Sequence, residues 1–354
     1  MVKESDNLAV VLHGPNQMKL ENIPTPGPPG PDDVQVKSEF CGICGTDITL
    51  LKNAKIGTFS VEKPLVLGHE GSGTIMAVGK NVTSLAVGDR VTIENAVPCM
   101  KCKVCLKGNY NYCETCTRQA KGLPPADGLL ARFYNHPAAF THKVPDNVSL
   151  EVAALAEPLA VSVHALNRVA LTFGQNVLIC GAGTMGLLTM VCARAYGAAK
   201  VCVVDIVQEK LDVAKKFGAE HTVLSVKGKS TEDMAKQVID KMGGMVDVTI
   251  EATGSEFCLG VSILATSYGG KIGLIGLGGE KVSLPLSKAI LKEIDLLGVC
   301  RYRNSYQQAV NLLATRSEFK EFVTSVFPIE KATDAFEAMK KGTDIKILIK
   351  CSTK

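Results

Sequence analysis

The sequence lacks three features that would direct it to a membrane, to nucleic acid or out of the cell. No uninterrupted apolar run reaches the roughly 18 residues of a membrane-spanning helix, so no membrane partner is expected. The 39 basic and 35 acidic residues are spread along the chain, which leaves no basic block for nucleic acid. The charged start, Met1–Asp6, leads into no apolar core, so we expect no secretory leader and a cytoplasmic protein.

A disulfide framework is also not expected. The 13 cysteines are an odd number, and no export signal precedes them. Cys180 and Cys202 lie in apolar, strand-like runs, where a cysteine is usually a small buried hydrophobe. Several of the other cysteines are clustered, and in a reducing compartment such clusters indicate metal binding.

The length and the apolar pattern predict two domains of an α/β protein. The chain has 354 residues, of which 46% are hydrophobic and 21% charged, as in globular proteins with more than one core. Residues 34 to 150 read as short strands broken by Gly and Pro, after an extended Pro-rich connector at 24–31. From residue 152, helical and strand-like segments alternate, which predicts a doubly wound parallel sheet of the Rossmann type. We expect a β-rich domain over 1–157 and 301–354, interrupted by the Rossmann domain over 158–300.

A dinucleotide-binding turn is predicted at the start of the second domain. Gly181, Gly183 and Gly186 form a G-x-G-x-x-G between a buried strand and a helix. The glycines permit a tight turn and let the backbone approach a pyrophosphate at the helix N-terminus. Asp205 ends the next strand, 19 residues after Gly186. Its carboxylate suits the ribose hydroxyls and repels a 2′-phosphate, so NAD is favoured over NADP, and Lys210 is the nearest basic residue.

Four cysteines within one loop predict a structural zinc site. Cys99, Cys102, Cys105 and Cys113 form C-x₂-C-x₂-C-x₇-C, which can supply a closed tetrahedral shell. Cys116 forms a second close pair with Cys113, so the fourth ligand could be either residue, and we favour Cys113.

A second group predicts a catalytic metal. His69 and Glu70 lie between glycines in Gly68-His69-Glu70-Gly71-Ser72-Gly73. Cys44 lies 25 residues upstream of His69 in a glycine-flanked turn that could present one thiolate. A histidine beside a glutamate, between glycines and with a cysteine from a turn, is a better candidate for metal ligation than a lone histidine.

These motifs resemble the zinc-containing medium-chain alcohol dehydrogenases, and the resemblance covers essentially the whole chain. The signature Gly68-His69-Glu70-x-x-Gly73-x₅-Gly79-x-x-Val82 is followed by the cysteine lobe and the Rossmann unit in that family's order. Within the family the chain is most similar to the polyol (sorbitol) dehydrogenases, through four segments: Arg132-Phe133-Tyr134, Val144-Pro145-Asp146-Asn147-Val148, Ala156-Glu157-Pro158-Leu159 and Arg301-Tyr302. The resemblance implies a GroES-like fold for the β-rich domain, zinc and NAD as cofactors, a polyol or ketose substrate, and a homotetramer or dimer.

The resemblance also implies roles for individual residues. Many relatives have a zinc-binding Cys where this chain has Glu157, and polyol dehydrogenases imply a shell of Cys44, His69, Glu70 and water with Glu157 beside it. The opposite arrangement, with Glu157 on the metal and Glu70 behind it, stays open. The proton of the substrate hydroxyl is expected to leave through Thr46 and Glu157. Arg301 and Tyr302 are expected to reach the substrate or cofactor, and the side chains expected to line the nicotinamide are those of Met185, Ile275, Leu277 and Val299.

Two departures bear on the substrate. Relatives usually carry a His and an aromatic residue where this chain reads Ile48-Thr49-Leu50-Leu51, and a small or thiol side chain at Arg303. A more apolar pocket floor would favour shorter or less hydroxylated substrates. The alternatives are a threonine- or butanediol-type dehydrogenase, an NADP ketose reductase, or a zinc- and NAD-binding protein recruited to a structural or sensing role.

Overall fold

The computed structural model describes residues 7–352 of the chain. The first six residues, for which no leader was expected, and the last two lie outside this range. The chain divides into two compact units, one ending at Glu157 and resuming at Tyr306, the other spanning Pro158–Ser305.

The first unit is built mainly from antiparallel strands. Its strands are β1 (Leu8–Leu12), β2 (Met18–Asn22), β3 (Asp33–Gly42), β4 (Lys55–Ile56), β5 (Phe59–Ser60), β6 (Leu65–Val66), β7 (Glu70–Val78), β8 (Arg90–Ile93), β9 (Phe133–Pro137), β10 (Thr141–Lys143), and, near the C-terminus, β17 (Val323–Pro328) and β18 (Lys346–Lys350). The largest sheet runs β10-β8-β7-β3-β18-β17, with β9 also on β3, and a smaller sheet runs β2-β1-β6. Buried and partly exposed residues alternate along most of β3, which is the pattern of a strand with one face on a core.

Short helices pack on the sheets of this unit or lie within its connecting segments. They are α1 (Gly45–Asn53), α2 (Lys103–Leu106), α3 (Glu114–Gln119), α4 (Leu150–Ala153), the start of α5 (Ala156–Arg168), α11 (Tyr306–Thr315) and α12 (Ala332–Lys341), with 3-10 turns at Tyr110–Tyr112, Ala138–Phe140, Ser317–Phe322 and Ile329–Lys331. The core packs aliphatic side chains of β7, β8 and β18 against Phe336 of α12. Strand β18 thereby brings residues near the C-terminus beside β3, which ends just before the Cys44 turn.

The second unit is the doubly wound sheet that the alternating pattern predicts. Its six strands are parallel and run β13-β12-β11-β14-β15-β16. The elements are β11 (Asn176–Cys180), α6 (Thr184–Ala195), β12 (Lys200–Asp205), α7 (Gln208–Lys216), β13 (His221–Leu224), α8 (Thr231–Met242), β14 (Val246–Glu251), α9 (Glu256–Ala265), β15 (Thr266–Leu274), α10 (Leu286–Leu291) and β16 (Asp295–Gly298). The predicted fold class, a GroES-like β-rich domain with a Rossmann domain, is confirmed.

One detail differs from the pattern in the sequence. The chain leaves the Rossmann unit after Ser305, whereas we expected residue 300. Residues 301–305 stay with this unit because the Val299 amide donates to Leu274 O at 3.0 Å and the Ser305 hydroxyl donates to Ala160 O at 3.0 Å.

Candidate metal centre and nucleotide-binding site

Asp47 joins the two segments that carry the first candidate metal group. Cys44 is the residue before α1, and its amide donates to Asp47 Oδ2 at 2.9 Å. The other oxygen of Asp47 accepts from the Gly68 amide at 3.2 Å and lies 3.6 Å from His69 Nδ1. Asp47 is fully buried, so the loop containing Cys44 and the start of β7 are fixed against each other.

Cys44, His69 and Glu70 converge. One potential ligand atom from each lies within 4.8 Å of the others. Gly68 makes this possible because its φ of +88° is in the left-handed region, and a Cβ there would meet Leu130 and Cys41. His69 Nδ1 is buried and has no hydrogen-bond partner in the described part of the chain. A thiolate, an imidazole and a carboxylate in a largely buried position fit a catalytic zinc ion with one open position.

A lysine that the sequence analysis did not single out holds Glu70. Lys346 Nζ donates to both carboxylate oxygens of Glu70, at 2.8 and 2.6 Å, and to Ile43 O at 3.1 Å. Burial alone would lower the pKa of Lys346, but the Glu70 charge outweighs burial and raises it. The signal was present in the sequence, since a lysine in the apolar run Lys346-Ile347-Leu348-Ile349 needs a buried partner.

Glu157 lies close to this cluster but outside it. It is 8% exposed at the start of α5, and its carboxylate is not among the atoms grouped with Cys44 and His69. Its negative charge nevertheless contributes to the raised pKa values of Lys346 and Tyr306. Thr46 lies in the first turn of α1 and is partly exposed. Of the two glutamates, the geometry brings Glu70 to the metal group and leaves Glu157 beside it.

Leu50 does not form the apolar floor that we expected for the substrate pocket. Leu50 is fully buried and Leu51 is 5% exposed, and both pack into the core of the first unit. Helix α1 turns these side chains inward because the leucines occupy its core-facing side, while Thr49 is exposed. The departure at residues 48–51 therefore gives no argument for less hydroxylated substrates.

The cysteine lobe forms the second candidate metal group. The Sγ atoms of Cys99, Cys102, Cys105 and Cys113 all lie within 4.8 Å of one another, and Cys116 is buried on α3 outside the group. Backbone amides donate to the sulfurs, from Cys99 to Cys113 Sγ at 3.4 Å and from Cys102 to Cys99 Sγ at 3.3 Å. Burial opposes ionisation of Cys113, but hydrogen bonds from the backbone of Cys99 and Cys116 and from neighbouring thiols lower its pKa to about 6. Four thiols with amide donors fit a structural zinc ion.

The glycine-rich turn of the second unit has the geometry of a nucleotide site. Gly181 has a φ of +100°, and Gly183 precedes the first turn of α6. A Cβ on Gly186 would collide with the carbonyl oxygen of Gly181, so helix and turn can approach this closely only with glycine. Asp205 accepts from the Ala182 amide at 2.6 Å and from the Val207 amide at 2.9 Å, which fixes the carboxylate beside the turn.

A cavity of about 830 Å³ adjoins the turn and is lined by Gly181, Asp205 and Lys210. The sequence analysis missed several other lining residues, which have no local motif: Lys227, Lys229, Thr253, Phe257 and Cys258. The carboxyl ends of parallel strands are where such sheets bind ligands. The remaining expected cofactor residues follow that edge too, with Ile275 and Leu277 after β15 and Val299 after β16, and with Met185 in the first turn of α6.

Arg301 and Tyr302 follow β16 in the second unit. Arg301 has a φ of +51°, a left-handed conformation that non-glycine residues seldom adopt. Tyr302 is fully buried, and Arg301 and Arg303 are partly buried. Such backbone conformations are retained where surrounding structure enforces them, often at functional sites.

Comparisons with known proteins agree with this geometry. Residues 30–146 match the family model of the alcohol dehydrogenase GroES-like domain, and residues 184–315 match that of zinc-binding dehydrogenases. The chain is 45% identical to sorbitol dehydrogenase of Bos taurus over 98% of its length and 96% of the relative's. It is 44% identical to that of Homo sapiens, again over 98% of the chain and 96% of the relative.

Among solved structures, an Escherichia coli oxidoreductase of unknown specificity has a TM-score of 0.90 at 31% identity, covering 98% of this chain and 99% of that one. A 2R,3R-butanediol dehydrogenase from Bacillus subtilis has a TM-score of 0.88 at 26% identity with the same coverage. A putative zinc-binding dehydrogenase from Sinorhizobium meliloti, bound to NADP, has a TM-score of 0.87 at 30% identity, covering 97% and 99%. In residues 7–352, no helix is both long and apolar enough to cross a membrane.

Proposed function

Because the chain belongs to the family of zinc-binding alcohol dehydrogenases, we propose that it is a zinc-dependent polyol dehydrogenase that oxidises a secondary hydroxyl to a ketone with NAD. The observation that carries the proposal is the convergence of Cys44, His69 and Glu70 within 4.8 Å. Full-length similarity to sorbitol dehydrogenases supports a polyol of the sorbitol or xylitol type as substrate.

Each residue has a role in this reaction. Zinc held by Cys44, His69 and Glu70 supplies the Lewis acidity that lowers the pKa of a secondary hydroxyl. Glu157, which lies beside the metal group, accepts the proton that the hydroxyl loses, and the Thr46 hydroxyl relays it. The Gly181–Gly186 turn would hold the pyrophosphate of NAD, which when bound would supply the hydride acceptor. Arg301 and Tyr302 bind substrate or cofactor. The side chains proposed to line the nicotinamide are those of Met185, Ile275, Leu277 and Val299.

The structural zinc has a separate role. Cys99, Cys102, Cys105 and Cys113 hold it in a lobe of short helices and turns, and the closed thiolate shell leaves no position for substrate. The grouped metal-binding thiols suit a reducing compartment, so we propose the cytoplasm as the location. Cell fractionation tests that expectation.

Turnover across a substrate panel tests the proposal. NADH formation should be fastest with sorbitol or xylitol, slower with 2,3-butanediol and threonine, and lost on chelation until zinc is restored. Preference for butanediol or threonine would replace the polyol with that substrate class. Two zinc ions per chain without turnover of any alcohol would support a recruited structural or sensing role instead.

NADP is the second candidate cofactor, and one observation favours it. Three lysines, Lys210, Lys227 and Lys229, line the cavity next to Asp205 and could attract a 2′-phosphate. We retain NAD because Asp205 is fixed at the turn by two backbone amides, where its charge opposes that phosphate. The ratio of kcat/KM for NAD to that for NADP decides between them.

A homotetramer built from paired subunits is the proposed assembly. Strand β16 is an edge of the parallel sheet, and apolar side chains near it are solvent-exposed, including Leu286, Ile290, Leu291 and Leu296. An exposed edge with such a surface suits pairing with a second copy. Light scattering should give four chains for the native protein and fewer for Ile290→Lys. Val87→Lys, at a 63%-exposed site in the first unit, is the control and should stay tetrameric. A native monomer would contradict the proposal.

A further inference from the structure

Two cysteines meet at the wall of the nucleotide cavity. Cys258 lies in the first turn of α9, lines the cavity and is partly exposed. Cys180 is the last residue of β11 and is fully buried directly before Gly181. Its Sγ lies 4.0 Å from Cys258 O and 3.6 Å from Ser262 Oγ. The Cys180 thiol therefore contacts Cys258, and the two side chains interact although 78 residues separate them along the chain.

The two thiols differ in reactivity. Interaction with the Cys180 thiol lowers the pKa of Cys258 to about 7, helped by Thr253 and Ser255 and opposed by burial. The same interaction and complete burial raise the pKa of Cys180 well above its usual value. The lowered pKa favours the nucleophilic thiolate at Cys258, whereas the raised pKa favours the protonated thiol at Cys180. A reactive, cavity-facing thiol next to a buried thiol is the arrangement of a sensor cysteine with a resolving partner.

We propose that Cys258 and Cys180 form a peroxide-sensitive dithiol in the cofactor cavity, and that their disulfide weakens dinucleotide binding. The Cys258 thiolate attacks hydrogen peroxide, so an S–O bond forms, the O–O bond breaks, and the released hydroxide takes up a proton as water. The Cys180 thiol then attacks the sulfenic sulfur, the S–O bond breaks, and the proton of Cys180 leaves with the hydroxyl group as a second water. Two thiols are oxidised and one peroxide is reduced to two waters.

The disulfide would disturb the phosphate-binding turn for a geometric reason. To form the disulfide, the two sulfurs must approach to the S–S length of about 2.05 Å, and Cys180 is covalently joined to Gly181. Gly181 packs closely on Thr253, since a Cβ on Gly181 would lie 2.8 Å from Thr253 Cγ2. The Cys180 carbonyl also accepts from the Ala252 amide at 2.9 Å. A movement of Cys180 toward α9 therefore shifts the turn against the β14–α9 loop, with little free space to absorb it. The effect on catalysis depends on the proposed function, whereas formation of the bond does not.

Peptide mapping and NAD titration of the full-length, zinc-loaded protein test the proposal. Equimolar hydrogen peroxide should link the peptides containing Cys180 and Cys258 with a loss of two hydrogens. The Kd for NAD should rise by about tenfold or more, and dithiothreitol should restore it. Saturating NAD during the treatment should slow the oxidation, because Cys258 lines the same cavity. Calorimetry measures binding directly, so oxidation of the zinc-site thiolates does not obscure the result through lost turnover.

Two variants make the test specific. Cys258→Ser and Cys180→Ala should each lose the peroxide-dependent change in Kd, measured against its own untreated sample. Cys202→Ala removes another fully buried cysteine of the same core and should respond as the native protein does. Absence of the Cys180–Cys258 link, or a link that leaves the Kd unchanged, would overturn the proposal. Failure of the untreated protein to bind NAD would instead count against the proposed cofactor. In that case the peptide map alone would show whether Cys180 and Cys258 form a disulfide.

Discussion

Individual buried charges determine what the metal group can do. Glu70 has both oxygens bound by Lys346, so its carboxylate is paired and oriented in the interior, where an unpaired carboxylate would be strongly destabilised. Glu157 is nearby, buried, and separate from the ligand group. This division is consistent with the proposed roles, in which Glu70 is oriented toward a cation and Glu157 accepts a proton.

Removing the proton acceptor should separate metal binding from catalysis. Glu157→Gln should keep two zinc ions per chain and lower kcat by about 100-fold or more, because an amide cannot accept the proton. Metal analysis and steady-state kinetics measure the two effects. Glu151→Gln, on the exposed side of α4, is the control and should keep kcat unchanged. Full activity of Glu157→Gln would remove this residue from the mechanism.

We expect Lys346 and zinc to compete for Glu70. Removal of Lys346 should therefore lower the free energy of unfolding of the zinc-free protein. In Lys346→Met the zinc-free protein contains a buried carboxylate without its cation, a change that typically costs 3–5 kcal/mol. Zinc then supplies the missing positive charge, so the zinc-dependent increase in melting temperature should be larger than in the native protein. Lys346→Arg should resemble the native protein. An equal zinc-dependent increase in Lys346→Met and native protein would show that the two cations do not share Glu70.

Asp205 should control the choice of cofactor. Asp205→Ala removes a negative charge that opposes a 2′-phosphate, and three lysines of the cavity remain. The ratio of kcat/KM for NAD to that for NADP should therefore fall by about tenfold or more. Asp212→Ala, at an exposed position on α7, serves as control and should leave the ratio unaffected. An unchanged ratio in Asp205→Ala would contradict the role of this carboxylate.

At the scale of elements, the cysteine lobe is built from short helices and turns. Helices α2 and α3 have four and six residues, too short to be stable without packing or a ligand. Amide-to-sulfur hydrogen bonds hold the thiols together, but four neighbouring sulfurs need a cation to be ionised together. The lobe therefore depends on its metal more than the sheets do.

The identity of the fourth ligand gives a test with a matched pair. Cys113→Ser should reduce the zinc content from two ions per chain to one and make the lobe susceptible to proteolysis. Cys116→Ser, three residues later and equally buried, should keep both ions even if it lowers stability. Zinc analysis of the two purified variants decides the question, and the reverse result would make Cys116 the ligand.

At the scale of the molecule, buried histidines couple stability to pH. Burial, and then the charge of Lys121, lowers the pKa of His136 to about 3, although its Nε2 is 3.0 Å from Glu94 O. The unfolded chain has a histidine pKa near 6.5, so only the unfolded state takes up this proton as the pH falls below that value. The stabilisation is present in full above pH 6.5 and is lost as the pH falls toward 3.

The expected result is a difference between two titration curves. From pH 7 to pH 5, the native protein should lose about 2 kcal/mol of unfolding free energy through His136, and His136→Gln should lack that contribution. Urea unfolding of both proteins at each pH measures it, and any loss of zinc in acid is common to the two. Parallel curves would mean that His136 is protonated in the folded state.

The sequence by itself determined the local chemistry of this protein. The glycine turn, the spacing of Cys99 to Cys113 and the Cys44 and Gly68-His69-Glu70 segments are patterns within a few residues, because backbone geometry and ligand spacing are local properties. The alternating runs of strand and helix likewise indicated the parallel sheet, since periodicity reports which side of an element is buried.

Only the tertiary structure decided which distant groups meet. The pairs Glu70–Lys346 and Cys180–Cys258 are 276 and 78 residues apart, and neither leaves a pattern within one segment. The inward direction of Leu50 and the return of the chain at Tyr306 were decided in the same way, by packing and long-range hydrogen bonds. Pairing of buried charges and thiols depends on how sheets and helices pack, so it follows from the whole fold rather than from any motif.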